Sequence, residues 1–279
     1  MILYQEKNFQ SLSCIRVKMK YTEPKNILTS LNSEITNKEK CIVFGNGPSL
    51  KQVNFDLLKS SNVTTLTTNR IAEVCKREEW YPTFYVSFFC EPFRGENIIL
   101  PTGNRLQYPG CKEQALKTRE DIKYLCYNEK TTCFVHYWYQ HFLDLNKVKN
   151  TYFAKPIQWN RFVELPEDIF GRLEKGQFLW HSATTQLFQL AFWLNIKNIG
   201  IVGQDGFDTS LKINHYDGYI GTEQNIKKFD FANNRMKILH RAIKNYVVNN
   251  NLNSYNISNK SVISNYHKKI TFENFLKII

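Results

Sequence analysis

Lys38-Glu-Lys-Cys-Ile-Val-Phe-Gly-Asn-Gly-Pro-Ser-Leu50 puts a charged lead-in, a short apolar run and a glycine-bracketed turn in one line. The apolar run from Cys41 to Phe44 is of the kind that becomes a strand buried on both faces. Gly45 and Gly47 permit positive φ and close backbone approach, Asn46 and Ser49 add polar side chains, and Pro48 stiffens the exit. N–H groups released at such a strand end can cradle a phosphate or sugar where a helix begins just beyond. A tight strand-to-helix turn without a ligand is the other reading. Two common nucleotide loops are excluded: Leu50 stands where a dinucleotide loop needs its third glycine, and no Gly-Lys-Ser/Thr follows as a P-loop requires.

Outward from this turn the hydrophobic period keeps switching. Val53 to Ser60 reads as a short helix, Val63 to Thr68 as a β-branched strand, Ile71 to Glu79 as a helix, and Thr83 to Phe89 as a strand set off by Pro82. Ser182 to Leu194 reads as a buried helix with a Ser/Thr start, and Asn198 to Val202 as a strand ending in Gly203-Gln-Asp-Gly206. Phe229 to Asn249 reads as a surface helix, and a final short strand and helix close the sheet. Alternation at this spacing predicts an α/β fold, Rossmann-like, with a mostly parallel sheet covered by helices. Strand ends of such sheets face the ligand crevice, which gives Asp205 a reason to matter beyond a turn or cap carboxylate.

The expected organisation is an N-terminal arm over 1–38 and a catalytic α/β domain over 39–257, with a C-terminal tail over 258–279. Within the domain, about 100–171 mixes weak strand signals such as Thr132 to Val135 with aromatic and basic residues, and reads as a smaller lid-like or acceptor-binding insertion. Sugars stack on aromatic faces, although core packing accounts for such residues equally well.

A chain of 279 residues, 42% hydrophobic and 14% aromatic, is globular rather than disordered. Its net charge of +12 suggests an acidic partner, for which a nucleotide-sugar, anionic lipid headgroups and nucleic acid are candidates. No RNA-recognition signature or helix-turn-helix pattern supports nucleic acid, so the excess cations read as a solvated face. No segment approaches about eighteen uninterrupted apolar residues, and Met1-Ile-Leu-Tyr-Gln-Glu6 lacks the pattern of a signal peptide. The expected location is cytoplasmic, docked on the inner face of a membrane. The seven cysteines form no Cys-x-x-Cys pair, which points to reduced structural thiols rather than a disulfide framework or zinc site. His136 and His141 are five apart, not the i, i+4 spacing of two ligands on one helical face, and are read as aromatic packing.

Gly45-Asn-Gly-Pro-Ser-Leu50 resembles the opening of the bacterial lipooligosaccharide sialyltransferases, which use CMP-sialic acid. It also resembles a wider sialyltransferase-like set that includes the motility accessory factors and the 6-hydroxymethylpterin diphosphokinase-like proteins. The resemblance implies a donor-binding loop at Gly45, Asn46, Gly47, Pro48 and Ser49. It implies further donor contacts at Asn69 after the second strand, at Ser87 in Phe84-Tyr-Val-Ser87, at Ser182, Ala183 and Thr184, and at Asp205. Those sialyltransferases carry a histidine base after Tyr-Ile-Gly, but here Tyr219-Ile-Gly221 is followed by Thr222, whose hydroxyl is no base near neutral pH. His215, in Asn214-His-Tyr-Asp217, is the nearest replacement, with Asp217 orienting it. The tyrosine that assists the departing phosphate is replaced by Phe207, leaving Tyr216 or Tyr219 as substitutes.

What the resemblance implies is a glycosyltransferase moving a sugar from a nucleotide donor, a CMP-sugar, to a lipopolysaccharide or surface-glycan acceptor, with no cofactor and no metal. The pterin kinase-like branch implies instead an Mg²⁺-dependent diphosphotransferase, with Asp205 and Asp208 as the metal carboxylates. A non-catalytic nucleotide-binding module is the third reading.

Overall fold

The computed structural model describes residues 39–89, 91–93, 95, 97–99, 105–107, 112–154, 157–158, 165, 169–171, 173, 178–180, 182–206, 226–258 and 261–278. The 1–38 arm and His215, Tyr216, Asp217 and Tyr219 lie outside them.

In chain order the elements begin with β1 (Lys40–Phe44), α1 (Phe55–Ser60), β2 (Thr64–Thr68), α2 (Ala72–Glu78) and β3 (Phe84–Ser87). The strands β4 (Asn97–Ile99) and β5 (Arg105–Gln107) form a separate antiparallel pair. Then come α3 (Lys112–Cys126), β6 (Thr132–His136) and β7 (Thr151–Ala154), followed by the two-stranded parallel pair β8 (Ile157–Gln158) and β9 (Leu179–Trp180). The chain continues through α4 (Ala183–Trp193), β10 (Asn198–Val202), α5 (Ile226–Asn249), β11 (Asn253–Asn256), β12 (Lys268–Lys269) and α6 (Phe272–Leu276).

Eight strands form one sheet in the order β12-β11-β10-β1-β2-β3-β6-β7, and every neighbouring pair is parallel. The fold is thus α/β and Rossmann-like. From β1 the chain winds outward through β2, β3, β6 and β7, then returns to lay β10 on the other side of β1. The direction of winding therefore reverses between β1 and β10, where an open parallel sheet leaves a crevice beyond its strand ends.

Side chains alternate along β1 between two cores. Cys41 and Val43 join one core with Leu187, Leu190 and Ala191 of α4 and Leu239 and Ile243 of α5. Ile42 and Phe44 join the other, with Leu58 of α1, Cys75 of α2, Ile122 and Leu125 of α3 and Phe275 of α6. Each fully buried Leu, Ile or Phe contributes about 1.5–3 kcal/mol. β2 is apolar only at Leu66, yet all five of its residues are buried. Two of its threonine hydroxyls are satisfied by β3: Thr67 Oγ1 donates to the Phe84 carbonyl at 3.0 Å and Thr68 Oγ1 to that of Val86 at 2.6 Å. A buried hydroxyl so paired avoids the desolvation cost an unpaired one would carry.

Several sequence readings shift. The helix expected over Val53 to Ser60 starts two residues later as α1, its start set by Asn54 accepting from the Asp56 and Leu57 N–H groups, and a separate 3-10 turn, Pro48–Gln52, precedes it. A lid over about 100–171 gives way in its described part: β6 and β7 extend the main sheet and α3 covers it, because Ile122, Leu125, Cys133 and Val135 face the core. Residues 258–279 carry β12 and α6, with Phe272 and Phe275 buried and Lys40 Nζ donating to the Leu276 and Ile278 carbonyls. Cys41, Cys75, Cys126 and Cys133 are buried and unbridged, and burial pushes the Cys41 and Cys75 thiols up. His136 caps the 3-10 turn Tyr137–His141 by accepting from the Trp138 N–H and stacks on Tyr137.

Candidate functional site

β1 and β10 end side by side in perfect register, Phe44 opposite Val202, so the turn after each strand starts at the same level. The two turns then bond to each other. The Gly45 N–H donates to the Val202 carbonyl at 2.8 Å and the Gly47 N–H to the Gly203 carbonyl at 2.8 Å. Ser49 N–H donates to Asp205 Oδ2 at 2.8 Å, and Ser49 Oγ accepts from Gly203 N–H at 2.9 Å while lying 2.8 Å from Ser258 Oγ. Three N–H groups expected to cradle a phosphate are therefore engaged within the chain, and Leu50 N–H is taken by the Gly47 carbonyl at 3.1 Å.

Close approach, not positive φ, is what the two glycines provide. Gly47 sits at φ −77°, and the positive-φ glycines among the described residues are Gly95, Gly203 and Gly206. A Cβ on Gly45 would come within 2.6 Å of the Gly203 carbonyl carbon, and one on Gly47 within 2.8 Å of the Gly203 oxygen and against the Asp205 carboxylate. The backbone these glycines admit belongs to the neighbouring turn rather than to a ligand.

What the welded turns hold up is a polar edge. Asn46, Pro48, Asn69, Ser182, Ala183, Thr184 and Asp205 are all partly exposed there. Asn46 Nδ2 reaches across to the Thr68 carbonyl at 3.2 Å, joining the β1 turn to the β2 end. Asn69 adopts the left-handed region at φ 58°, a conformation asparagine tolerates better than other side-chain-bearing residues. Its carbonyl accepts from the Tyr85 hydroxyl at 3.0 Å, which holds the residue against that cost. On the other side Ser182 caps α4 by accepting from the Thr185 N–H, and Thr184 Oγ1 donates to Gln204 Oε1 at 2.9 Å. The positive end of the α4 dipole thus lies at this same edge.

Asp205 is the most perturbed group of the site. Burial raises its carboxyl pKa, opposed by hydrogen bonding from Ser49 and Ser258. One oxygen is held by the Ser49 N–H, and Oδ1 is buried with no partner. Asp205 therefore anchors the loop through one oxygen, while the other lies buried.

Ser87, expected as a donor contact, is fully buried, with Oγ 3.0 Å from the Tyr139 hydroxyl, which donates to the Phe89 carbonyl at 2.8 Å. It locks the end of β3 and does not reach the edge. Gly45, Gly47 and Ser49 are likewise buried. Sequence reading passed over Arg70, half-buried beside Asn69 with its guanidinium 3.6 Å from Glu73, though a cation directly after the second-strand asparagine was a usable signal. It also passed over Tyr85, Gln204 and Ser258, for which nothing local signals a role. Among the described residues no group of three His, Cys, Asp or Glu is placed to hold a metal, and no helix is long and apolar enough to cross a membrane.

Neither a protein-family model nor a curated protein sequence matches the chain. Among solved structures it is similar to the monofunctional alpha-2,3-sialyltransferase Cst-I from Campylobacter jejuni, at 15% identity over 83% of this chain and 80% of that one, with a TM-score of 0.45. It is similar to the sialyltransferase CstII from the same organism in complex with the substrate analogue CMP-3FNeuAc, at 15% identity over 84% and 86% of the two chains, with a TM-score of 0.42. A CST-II structure holding a trisaccharide acceptor and CMP matches at 14% identity over 83% and 86%, with a TM-score of 0.42. At these values the likeness carries no functional conclusion.

Proposed function

We propose that the chain is a glycosyltransferase of the sialyltransferase-like type, which binds a nucleotide-sugar, a CMP-sugar, at the β1/β10 reversal and transfers the sugar to a lipopolysaccharide or surface-glycan hydroxyl. The observation that carries this reading is the gathering of Asn46, Asn69, Thr184 and Asp205, from four separate segments, at the one sheet edge where the winding reverses. Because the Gly45, Gly47, Ser49 and Leu50 N–H groups are engaged internally, the nucleotide is recognised mainly by side chains. Asn46 and Asn69 supply amide donors and acceptors and Thr184 a hydroxyl, while Asp205, with one oxygen on the Ser49 N–H and the other buried, holds the loop that presents them. Arg70 and the start of α4 offer positive charge to the donor phosphate.

In the reaction the acceptor oxygen bonds to the anomeric carbon as the carbon–oxygen bond to phosphate breaks. The phosphate takes the electron pair, and the acceptor proton passes to His215, oriented by Asp217. Tyr216 or Tyr219 donates to the departing phosphate. The basic protein works at the inner face of a membrane, where a glycolipid acceptor is presented.

Calorimetric titration with CMP, UDP, GDP and ATP, with and without Mg²⁺, tests the reading. CMP is expected to bind without Mg²⁺, with His215→Ala leaving that binding intact and abolishing sugar transfer. Binding of ATP alone and only with Mg²⁺ would point to diphosphoryl transfer, and turnover unchanged in His215→Ala would remove that residue from the mechanism.

A further inference from the structure

The long helix α5 carries six cations, Lys227, Lys228, Arg235, Lys237, Arg241 and Lys244, against a single acid, Asp230. Leu239, Ile243 and Val247 turn inward and are buried, which fixes the opposite side toward solvent. On that side Lys237, Arg241, Lys244 and Val248 follow one another at i, i+4, i+7 and i+11, and all four are exposed. Ile238 lies beside them, 39% exposed, and Val248 is 66% exposed, two of the large hydrophobic side chains the molecule leaves in water. None of the three cations has an ion-pair partner among the described residues, whereas Lys59, Lys76, Lys117 and Lys123 each do. On this face of the helix the three charges are interleaved with aliphatic side chains.

We infer that the outer face of α5 is a docking surface for an anionic lipid bilayer, with Lys237, Arg241 and Lys244 on headgroup phosphates and Ile238 and Val248 at the acyl boundary. The pattern fits a bilayer better than another polyanion because aliphatic residues sit in the same stripe as the cations, and long cationic side chains extend past them to reach headgroups. A nucleic-acid surface would gain nothing from Ile238 or Val248. The inference stands on the helix face alone and does not depend on the nucleotide reading of the β1/β10 edge.

Sedimentation of the full chain with vesicles of phosphatidylcholine alone, or of phosphatidylcholine mixed with phosphatidylglycerol, tests it. Binding is expected only to the mixed vesicles, weakening as salt screens the charges. Each cation near such a surface is worth about fivefold in partitioning, so Arg241→Glu/Lys244→Glu is expected to lower it by at least about 25-fold. Lys112→Glu/Lys277→Glu makes the same change in net charge on the opposite layer and is expected to cost far less. Ile238→Ser/Val248→Ser is expected to weaken vesicle binding while leaving retention on a polyanion column unchanged. Equal losses in the two charge-reversed variants, or no loss in the serine variant, would overturn the assignment. Urea unfolding of each variant, expected to match the parent, shows that the fold is intact.

Discussion

Acidification is expected to loosen the α5–β11–β12 corner of this protein through two buried imidazoles. His240 Nδ1 lies 2.8 Å from His267 Nε2, and His267 Nδ1 lies 2.8 Å from Ser254 Oγ, forming a chain from α5 to β11. His240 is fully buried and His267 8% exposed, and His240 Nε2 has no partner. Burial pushes His267 down from 6.5 to about 4, assisted by the nearby Lys244 charge, and burial and His267 together push His240 well down. Above about pH 6.5 both rings are neutral in the folded and the unfolded chain, so their contribution is constant. Below that, the unfolded chain binds protons that the folded chain refuses until about pH 4, and stability falls as pH falls. At about 1.4 kcal/mol per pH unit, His267 alone removes about 2 kcal/mol by pH 5 and about 3 kcal/mol by pH 4, where the folded chain begins to bind the proton too. His240 acts in the same direction.

The raised carboxyls of Asp205 and Asp121 act in the opposite direction, since the folded chain takes up those protons first. The measurement is therefore a difference. Urea unfolding is followed by tryptophan fluorescence from about pH 7.5 to about pH 4.5 for the parent chain and for His240→Gln/His267→Gln, with the two stability curves subtracted. The difference is expected to slope by at least about 1.4 kcal/mol per pH unit below pH 6.5, with the parent losing stability faster. A flat difference would mean that the pair is hydrated or charged in the folded chain, and the reasoning would fail.

Two substitutions test the β1/β10 edge. Gly47→Ala is expected to push Asp205 off the Ser49 N–H and to cost about 1–3 kcal/mol in denaturant unfolding, with nucleotide affinity falling alongside. Asn69→Gly keeps the left-handed backbone and is expected to leave stability within about 0.5 kcal/mol while weakening nucleotide binding, whereas Asn69→Val should cost about 1–2 kcal/mol in the same unfolding assay. Equal stability of the Gly and Val variants would show that the φ of 58° is not enforced.

Legibility followed locality. β10 was readable residue for residue because Asn198–Val202 is a continuous buried run bounded by turn signals. α3 was not, because buried Thr118 and Asp121 interrupt the apolar stripe of Ala115, Ile122 and Leu125. The Lys76 ammonium, 3.1 Å from the Asp121 carboxylate, offsets the cost of that burial, and Lys76 belongs to another helix. The family resemblance implied a donor contact at Ser87, but Tyr139, on a later segment, claims its hydroxyl.

By itself the sequence determined the alternation of strand and helix, and with it the placement of Asn46, Asn69 and Asp205 just past strand ends, because side-chain period and turn chemistry act over a few neighbouring residues. The tertiary structure decided what those positions are free to do. Ser49 and Asp205 are 156 residues apart in the chain, and their hydrogen bond, with those joining the β1 and β10 turns, engages the loop amides and leaves recognition to side chains. No local pattern encodes such pairings: a hydrogen-bond donor is satisfied by whatever acceptor the fold brings within 3 Å, and that acceptor can come from anywhere along the chain.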